Sequence, residues 1–278
     1  MRILIRTSKW AIWARRLASF SLPLLVIPVL LHRQRLIESA TFHTMLAVAL
    51  VVVVATVLTA LIALVRLWFT GDKGWDRGFV ALAVGLACLA PFGWAATMAA
   101  RYPQATDIAT ADRQRLPLLL DEATATMSPP VRPSPFTLEA VFPNVKTRTY
   151  PLNAQQVYDV ALQLVEERGW QVLARNGPIT PDGEGRINAR VTTLLGWLDD
   201  VVIAVAGGEE GASIDMRSVS LAASHDLGAN GQRIEEYLAA FDTEVTELLR
   251  DNPNLTEPII EAPATGAPID VPLPPPRP

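Results

Sequence analysis

The chain has 278 residues, a formal net charge of −4 and a single cysteine, Cys88. The negative charge and the lack of a basic face with interleaved aromatic residues exclude broad nucleic-acid binding, and the lone cysteine excludes an intramolecular disulfide. Half of the residues are hydrophobic, and the mean hydropathy of +0.25 is high for a water-soluble protein. Because the apolar excess lies almost wholly before Arg101, the composition predicts a membrane region followed by a soluble domain.

The predicted membrane region covers residues 1–101. Phe42 to Val65 and Phe79 to Ala100 contain no Asp, Glu, Lys or Arg, and a helix needs about 20 apolar residues to cross the hydrocarbon core of a bilayer. We therefore expect both segments to span. Their lack of ionisable residues disfavours an ion or proton pathway. Counting a weaker first segment, three helices are expected at about 13–31, 42–67 and 79–100.

That first apolar run, Leu17 to Leu31, is shorter than a full span and contains Pro23 and Pro28. It spans if the residues from Trp10 to Ala14 extend it and the adjoining arginines snorkel to the interface. The alternatives are a cleaved signal peptide and an interfacial or re-entrant segment. No small-x-small cleavage site follows the run, which argues against a signal peptide. We favour a span by the hydropathy rules for membrane helices.

The number of spans decides which side of the membrane holds the soluble domain. With three spans, the basic N-terminus and the basic residues around 66–77 are cytoplasmic and the soluble domain is periplasmic; with two spans the domain is cytoplasmic, and the positive-inside rule allows either arrangement. We expect a multi-pass protein of the inner (plasma) membrane with a periplasmic domain, which becomes cytoplasmic if the first segment does not span.

The soluble domain is predicted at residues 141–250, between two flanks with little regular structure. Residues 102–140 are rich in Pro and Thr and are typical of an extended linker. Residues 251–278 repeat Pro with scattered acidic residues, a composition typical of a disordered, Pro-rich tail.

Within the domain, Asn153 and Gln156 form a capping box at the start of a helix, and Gly169 is placed to end it. Alternating apolar and polar residues then predict strands, one of which has Ile214 and Met216 on one face. A last helix is expected from about Ala229 to Arg250, with Asp226 capping its start. This order predicts an α+β fold, a two-layer sandwich in which two helices cover one face of a mainly antiparallel sheet.

Several short blocks of residues resemble a bacterial family catalogued as domain of unknown function 1499. They are Gly196-Trp197-Leu198-Asp199-Asp200-Val201-Val202-Ile203, Asp215-Met216-Arg217-Ser218-Val219-Ser220, Asp226-Leu227-Gly228-Ala229-Asn230 with Arg233-Ile234, the juxtamembrane Asp107-Ile108-Ala109-Thr110, and Gly169-Trp170. The resemblance covers about Tyr102 to Phe241 and implies N-terminal membrane helices before the domain, but no reaction. Gly231 departs from a good helix former at the start of the last helix.

One polar constellation is a candidate ligand or interaction site. It combines strand ends with the N-terminus of the last helix, a place suited to an anionic group. The competing interpretation is structural: Asp226 caps the helix, Arg217 pairs with Asp199 or Asp200 across strands, and the serines satisfy backbone groups at a turn. The site residues are Asp199, Asp200, Arg217, Ser218, Ser220, Asp226, Asn230 and Arg233.

Catalytic and cofactor sites are not predicted. Ser224, His225 and Asp226 are consecutive and cannot act as nucleophile, base and orienting group without distant partners, and the chain has no G-x-S-x-G motif. Asp199 and Asp200 alone are too few for a metal. We therefore predict no catalytic residue, no metal and no cofactor.

The sequence thus predicts an integral membrane protein that presents a non-catalytic binding or interaction domain. Besides the lipid bilayer, the expected partner is a protein of the envelope or a small anionic ligand, and not a nucleic acid. One alternative is an accessory subunit of a membrane protein complex, and a less favoured one is an envelope hydrolase.

Overall fold

The computed structural model describes residues 6–180 and 182–252. Its N-terminal part consists of three helices, α1 (Lys9–Arg33), α2 (Ser39–Thr70) and α3 (Trp75–Arg101), each long and apolar enough to cross a membrane. α1 is helical through Pro23 and Pro28 and begins earlier than the predicted 13–31. The predicted tail at 253–278 lies outside the described residues.

Small side chains allow the three helices to pack closely. Ala14 and Ala18 of α1 are buried with Ala60 of α2 and Ala81 of α3, and a Cβ on Gly85 of α3 would lie 2.9 Å from Val57 Cγ2 of α2. Such small residues let membrane helices approach each other closely. Gly85 is therefore used for packing within this chain.

The soluble domain contains one antiparallel sheet of six strands and two long helices. The sheet order is β1-β6-β5-β4-β3, and β2 also pairs with β6 beside β1. This arrangement confirms the predicted α+β fold. In chain order the elements are β1 (Asp107–Ala109), α4 (Glu122–Ala125), α5 (Pro135–Val141), β2 (Arg148–Tyr150), α6 (Ala154–Glu167), β3 (Gln171–Asn176), β4 (Glu184–Thr192), β5 (Leu198–Gly208), β6 (Gly211–Ser220) and α7 (Ala229–Asp251).

Local capping explains where α6 begins and ends. The Gln156 backbone N–H donates to Asn153 Oδ1 at 2.9 Å, and the Asn153 N–H donates to Gln156 Oε1 at 3.0 Å. At the other end Gly169 adopts φ 66°, and the Trp170 N–H donates to the Val165 carbonyl at 3.1 Å, the bond expected of a Schellman motif. The predicted caps of this helix are confirmed.

The two faces of the sheet have different covers. On the helix face, which α6 and α7 cover, Ile203, Met216 and Phe241 are fully buried in the main core. The loop face carries the alternate side chains of the same strands and is covered by the segment 110–125, whose Leu116 packs with Val202. Because successive side chains of a strand point to opposite faces, each strand contributes to both layers.

The prediction of an extended linker at 102–140 is wrong. β1 lies within it and pairs with residues 217–219 of β6, Ile108 is fully buried in the main core, and α4 and α5 are helical. A three-residue strand is too short to show a periodicity, and its partner lies more than a hundred residues later in the chain. The folded domain therefore starts soon after α3.

The domain is also docked against the connection between α1 and α2. His32 Nδ1 donates to the Leu195 carbonyl at 2.7 Å, and Arg33 Nη1 donates to the Leu194 carbonyl at 3.0 Å. Trp197 packs edge-on against the rings of His32 and Phe42. The end of α1, the start of α2 and the end of α3 thus all lie on the side of the soluble domain.

Candidate functional site

The predicted site residues divide between the two faces of the sheet. Six lie together on the helix face, while Asp200 and Arg217 lie on the loop face, because they are one position out of phase with Asp199 and Ser218. The predicted pairing of Arg217 with Asp199 or Asp200 is therefore wrong: Arg217 pairs with Asp107. The six on the helix face are Asp199, Ser218, Ser220, Asp226, Asn230 and Arg233.

The helix-face residues form a closed hydrogen-bond network. Arg233 Nη2 donates to Asp199 Oδ2 at 2.6 Å, and its Nη1 donates to Ser218 Oγ at 2.7 Å and to Asn230 Oδ1 at 2.9 Å. Asn230 Nδ2 donates to Ser220 Oγ at 3.0 Å and to the Thr106 carbonyl at 3.3 Å. The network thus joins the residue before β1 to β5, β6 and α7, and Asn230 within it is completely buried.

Asp226 organises the start of α7. Its carboxylate accepts the Gly228 N–H at 2.9 Å and the Asn230 N–H at 3.1 Å, although the N-cap position belongs to Gly228. Burial raises the pKa of Asp226, the two backbone bonds oppose that rise, and the nearby charge of Asp199 adds to it. Asp226 thus accepts hydrogen bonds from two backbone N–H groups at the start of α7, although it lies two residues before the N-cap Gly228.

His225 also has a local role. Its Nδ1 accepts the Leu227 N–H at 3.0 Å, in a turn where Leu227 adopts φ 55°. This bond occupies the ring nitrogen nearest Asp226, which lies 3.9 Å from it. The geometry is that of a turn and lends no support to a serine–histidine–aspartate arrangement.

On the loop face, Asp200 is held by Arg190 of the neighbouring strand. Arg190 donates from Nε and Nη2 to the two carboxylate oxygens at 2.7 and 3.0 Å, and its Nη2 lies 2.9 Å from Asp121. The hydrogen bond to Asp200 raises the pKa of Arg190. At Asp121, the backbone N–H of Thr124 contributes most to a lowered pKa. Asp200 therefore helps attach the covering segment to the sheet.

A second group on the loop face surrounds Asp107 of β1, whose side chain is fully buried. Arg217 donates to it from Nε at 2.9 Å and from Nη2 at 3.2 Å. Arg113 Nε and Arg132 Nε donate to Asp107 Oδ2 at 2.7 and 3.2 Å. Three guanidinium groups therefore converge on one carboxylate.

These arginines line an open polar cavity of about 610 Å³, together with Asp112 and Gln114. We call this cavity, lined by Asp112, Arg113, Gln114, Arg132 and Arg217, the arginine pocket. The alternation of apolar and polar residues along the strands did not predict the arginine pocket, because Asp107, Arg113 and Arg132 lie in the segment interpreted as a linker. The block Asp107-Ile108-Ala109-Thr110 was the signal that marked its centre.

Among residues 6–180 and 182–252, no group of three or more His, Cys, Asp or Glu side chains is arranged to hold a metal ion. The cluster around Asp107 is instead rich in donors, and guanidinium groups bind anions rather than cations.

The family model described as protein of unknown function (DUF1499) matches residues 107–241. The soluble domain is a DUF1499 domain. No curated protein and no solved structure matches the chain. The DUF1499 match begins at Asp107, the centre of the arginine cluster, and ends at Phe241, which is buried in the core. The DUF1499 domain thus includes β1 and the polar groups on both faces of the sheet, whereas the three apolar helices precede it.

Proposed function

We propose that this chain is a membrane protein with three spans that presents its DUF1499 domain, as a binding domain without catalytic activity, on the side of the membrane opposite the N-terminus. In a bacterial inner membrane that side is the periplasm. The observation that carries the proposal is the packing of α1 along the whole length of α2.

α1 lies at the same depth as α2, the most apolar helix. Near one end, Ala11 is buried with Ala63 and Leu67, and at the other end His32 stacks on Phe42 with ring centroids 4.3 Å apart. If α2 crosses the bilayer, α1 crosses it too, because α1 packs against α2 at both ends and a helix satisfies its own backbone groups in hydrocarbon. This supports three spans.

The charges favour a cytoplasmic N-terminus. The Lys73 N–H donates to the Arg6 carbonyl and the Ser8 N–H to the Lys73 carbonyl, both at 3.0 Å, so the N-terminus and the α2–α3 connection lie on one side. That side is the more basic, and the positive-inside rule assigns it to the cytoplasm. The basic residues on that side are Arg6, Lys9, Arg15, Arg16, Arg66, Lys73 and Arg77, against Arg33, Arg35 and Arg101 on the other side.

Binding without catalysis is proposed from the way the polar groups are used. The helix-face network is buried and its members bond to one another, while His225 serves a turn. The arginine pocket, in contrast, is open and rich in donors. Guanidinium donors of this kind suit the recognition of an anionic ligand, and the side chains of the described residues that line the pocket include no Ser, Thr, Cys, His or Lys to act as a nucleophile.

Reporter fusions test the topology. We would attach an alkaline phosphatase or a green fluorescent protein after Asn252, because α7 continues to Asp251 and buries Val245. The proposal predicts phosphatase activity without fluorescence. A matched pair of fusions in the connection at Lys73 should give the opposite result. Fluorescence after Asn252 would contradict the proposal and place the domain in the cytoplasm.

A further inference from the structure

We propose that the arginine pocket binds a small anion that carries a phosphate group. This inference rests on the proposed function, because it assigns a ligand class to the binding domain. The reasons are a surplus of positive charge, donors left over after the internal bonds are made, and the fixed positions of two of the three arginine side chains.

The charge surplus follows from the bonds at Asp107. Arg217 alone reaches both carboxylate oxygens and neutralises the buried charge. Arg113 and Arg132 then add two more guanidinium groups, both to Oδ2. Even with the carboxylate of Asp112 counted, three cations face two anions around the cavity. Asp107 already lies between the three guanidinium groups, and the remaining surplus of one positive charge favours a further anion in the cavity.

Donors remain available in the pocket. Arg132 bonds to Asp107 through Nε, and within the described part of the chain its two Nη atoms have no hydrogen-bond partner; the same holds for Nη1 of Arg113. The planar fork of a guanidinium group matches two oxygens of a phosphate. These nitrogens therefore supply the donors that such a ligand needs.

Two of the three arginine side chains are also held in position by backbone acceptors. Arg113 Nη2 donates to the Asp107 carbonyl and Arg217 Nη1 to the Leu116 carbonyl, both at 2.9 Å. Side chains fixed in this way lose less conformational entropy when a ligand binds. The Asp107 carboxylate thus acts as an internal template that orients the cations.

Asp112 selects phosphate among small anions. Its Oδ1 accepts the Gln114 N–H at 2.9 Å, and its carboxylate lines the cavity. A carboxylate repels an anion that has no proton, but it accepts a hydrogen bond from the hydroxyl of a hydrogen phosphate. Sulfate has no such hydroxyl at neutral pH, so it should bind more weakly.

The test is a calorimetric titration of the full chain in a neutral detergent with inorganic phosphate, at pH 7 and constant ionic strength. Arg132→Gln is the pocket variant. Arg115→Gln is its matched control, because both arginine side chains are 56% exposed and each pairs with a buried aspartate. Arg132 pairs with Asp107 and Arg115 with Asp215. We expect Arg132→Gln to weaken phosphate binding by about tenfold and Arg115→Gln by less than about twofold. Sulfate should bind the wild type about tenfold more weakly than phosphate.

No binding to the wild type up to about 10 mM phosphate, equal losses in the two variants, or equal binding of sulfate would each overturn the inference. Repeating the titration in phosphatidylcholine nanodiscs with and without phosphatidic acid identifies the source of the phosphate. Competition by phosphatidic acid indicates a lipid headgroup, and its absence indicates a soluble ligand. Neither result depends on the reporter fusions, so the topology and the ligand can fail separately.

Discussion

The two faces of the sheet use similar polar residues in different ways. On the helix face, Asp199 and Arg233 belong to a closed network beneath α7, and each polar group is bonded within it. On the loop face, Asp107 is surrounded by three arginines and leaves donors directed at an open cavity. A closed network specifies the fold, whereas an excess of donors at the surface is suited to a ligand.

The contrast comes from what covers each face. Long helices bury the side chains beneath them, so a polar group on the helix face must find a partner inside the protein. The loop face is covered by an irregular segment, and Arg132 there keeps more than half of its side chain exposed. The same alternation of residues along β6 therefore places Ser218 in the closed network and Arg217 in the group around Asp107.

The largest expected effect is on the helix face. Asp199→Ala removes the carboxylate that pairs with Arg233, whose side chain is 11% exposed, and leaves a mostly buried cation without its counter-ion. We expect a loss of about 3 kcal/mol in the free energy of unfolding, measured by denaturant titration in detergent with tryptophan fluorescence. A loss below about 1 kcal/mol would mean that water already solvates the pair.

A second effect comes from the start of α7, where Gly231 departs from the expected helix former. A Cβ at this position would overlap with Cζ of Phe142. The glycine thus makes room for an aromatic ring, and Gly231→Ala should cost about 2 kcal/mol of stability despite the better helix propensity of alanine.

The double variant Gly231→Ala/Phe142→Leu serves as the control for this prediction. It should regain part of the lost stability, because the smaller side chain relieves the contact. If Gly231→Ala instead stabilises the protein, the Phe142 ring does not exclude a side chain at position 231, and the prediction is wrong.

The smallest effect is the pH dependence due to Asp226. Because its pKa in the folded protein is raised above the ordinary value of 3.8, the folded state binds more protons than the unfolded state between these two pKa values. The protonated group therefore stabilises the fold at low pH, and this contribution is lost as the pH rises through the folded pKa. The free energy of unfolding of the wild type minus that of Asp226→Asn, measured by denaturant titration at a series of pH values, should therefore decline above about pH 4. An increase with pH would contradict the raised pKa.

The regular elements of the domain could be predicted because their signals are local. The capping box at Asn153 and the alternation through Ile214 and Met216 depend on neighbours in the chain. The apolar helices were evident for the same reason, since a bilayer requires a long run of apolar residues.

The arginine pocket could not be predicted in this way. Asp107 and Arg217 meet only because β1 pairs with β6, and nothing in the residues around either one indicates the other. Asp199 and Asp200 are adjacent in the chain, yet they point to opposite faces and pair with Arg233 and Arg190. Strand phase and pairing order, which are tertiary properties, decide which polar residues meet.

The most direct test of this division between the faces is to measure two quantities on the same two variants, Asp199→Ala and Arg132→Gln. The quantities are the free energy of unfolding and the dissociation constant for inorganic phosphate. We predict that Asp199→Ala loses about 3 kcal/mol of stability and keeps its phosphate affinity. Arg132→Gln should lose less than about 1 kcal/mol, because the Arg132 side chain is 56% exposed and Asp107 keeps its ion pairs with Arg113 and Arg217. The same variant should bind phosphate about tenfold more weakly. If stability and affinity fall together in both variants, the two faces are not separate in function, and the account is wrong.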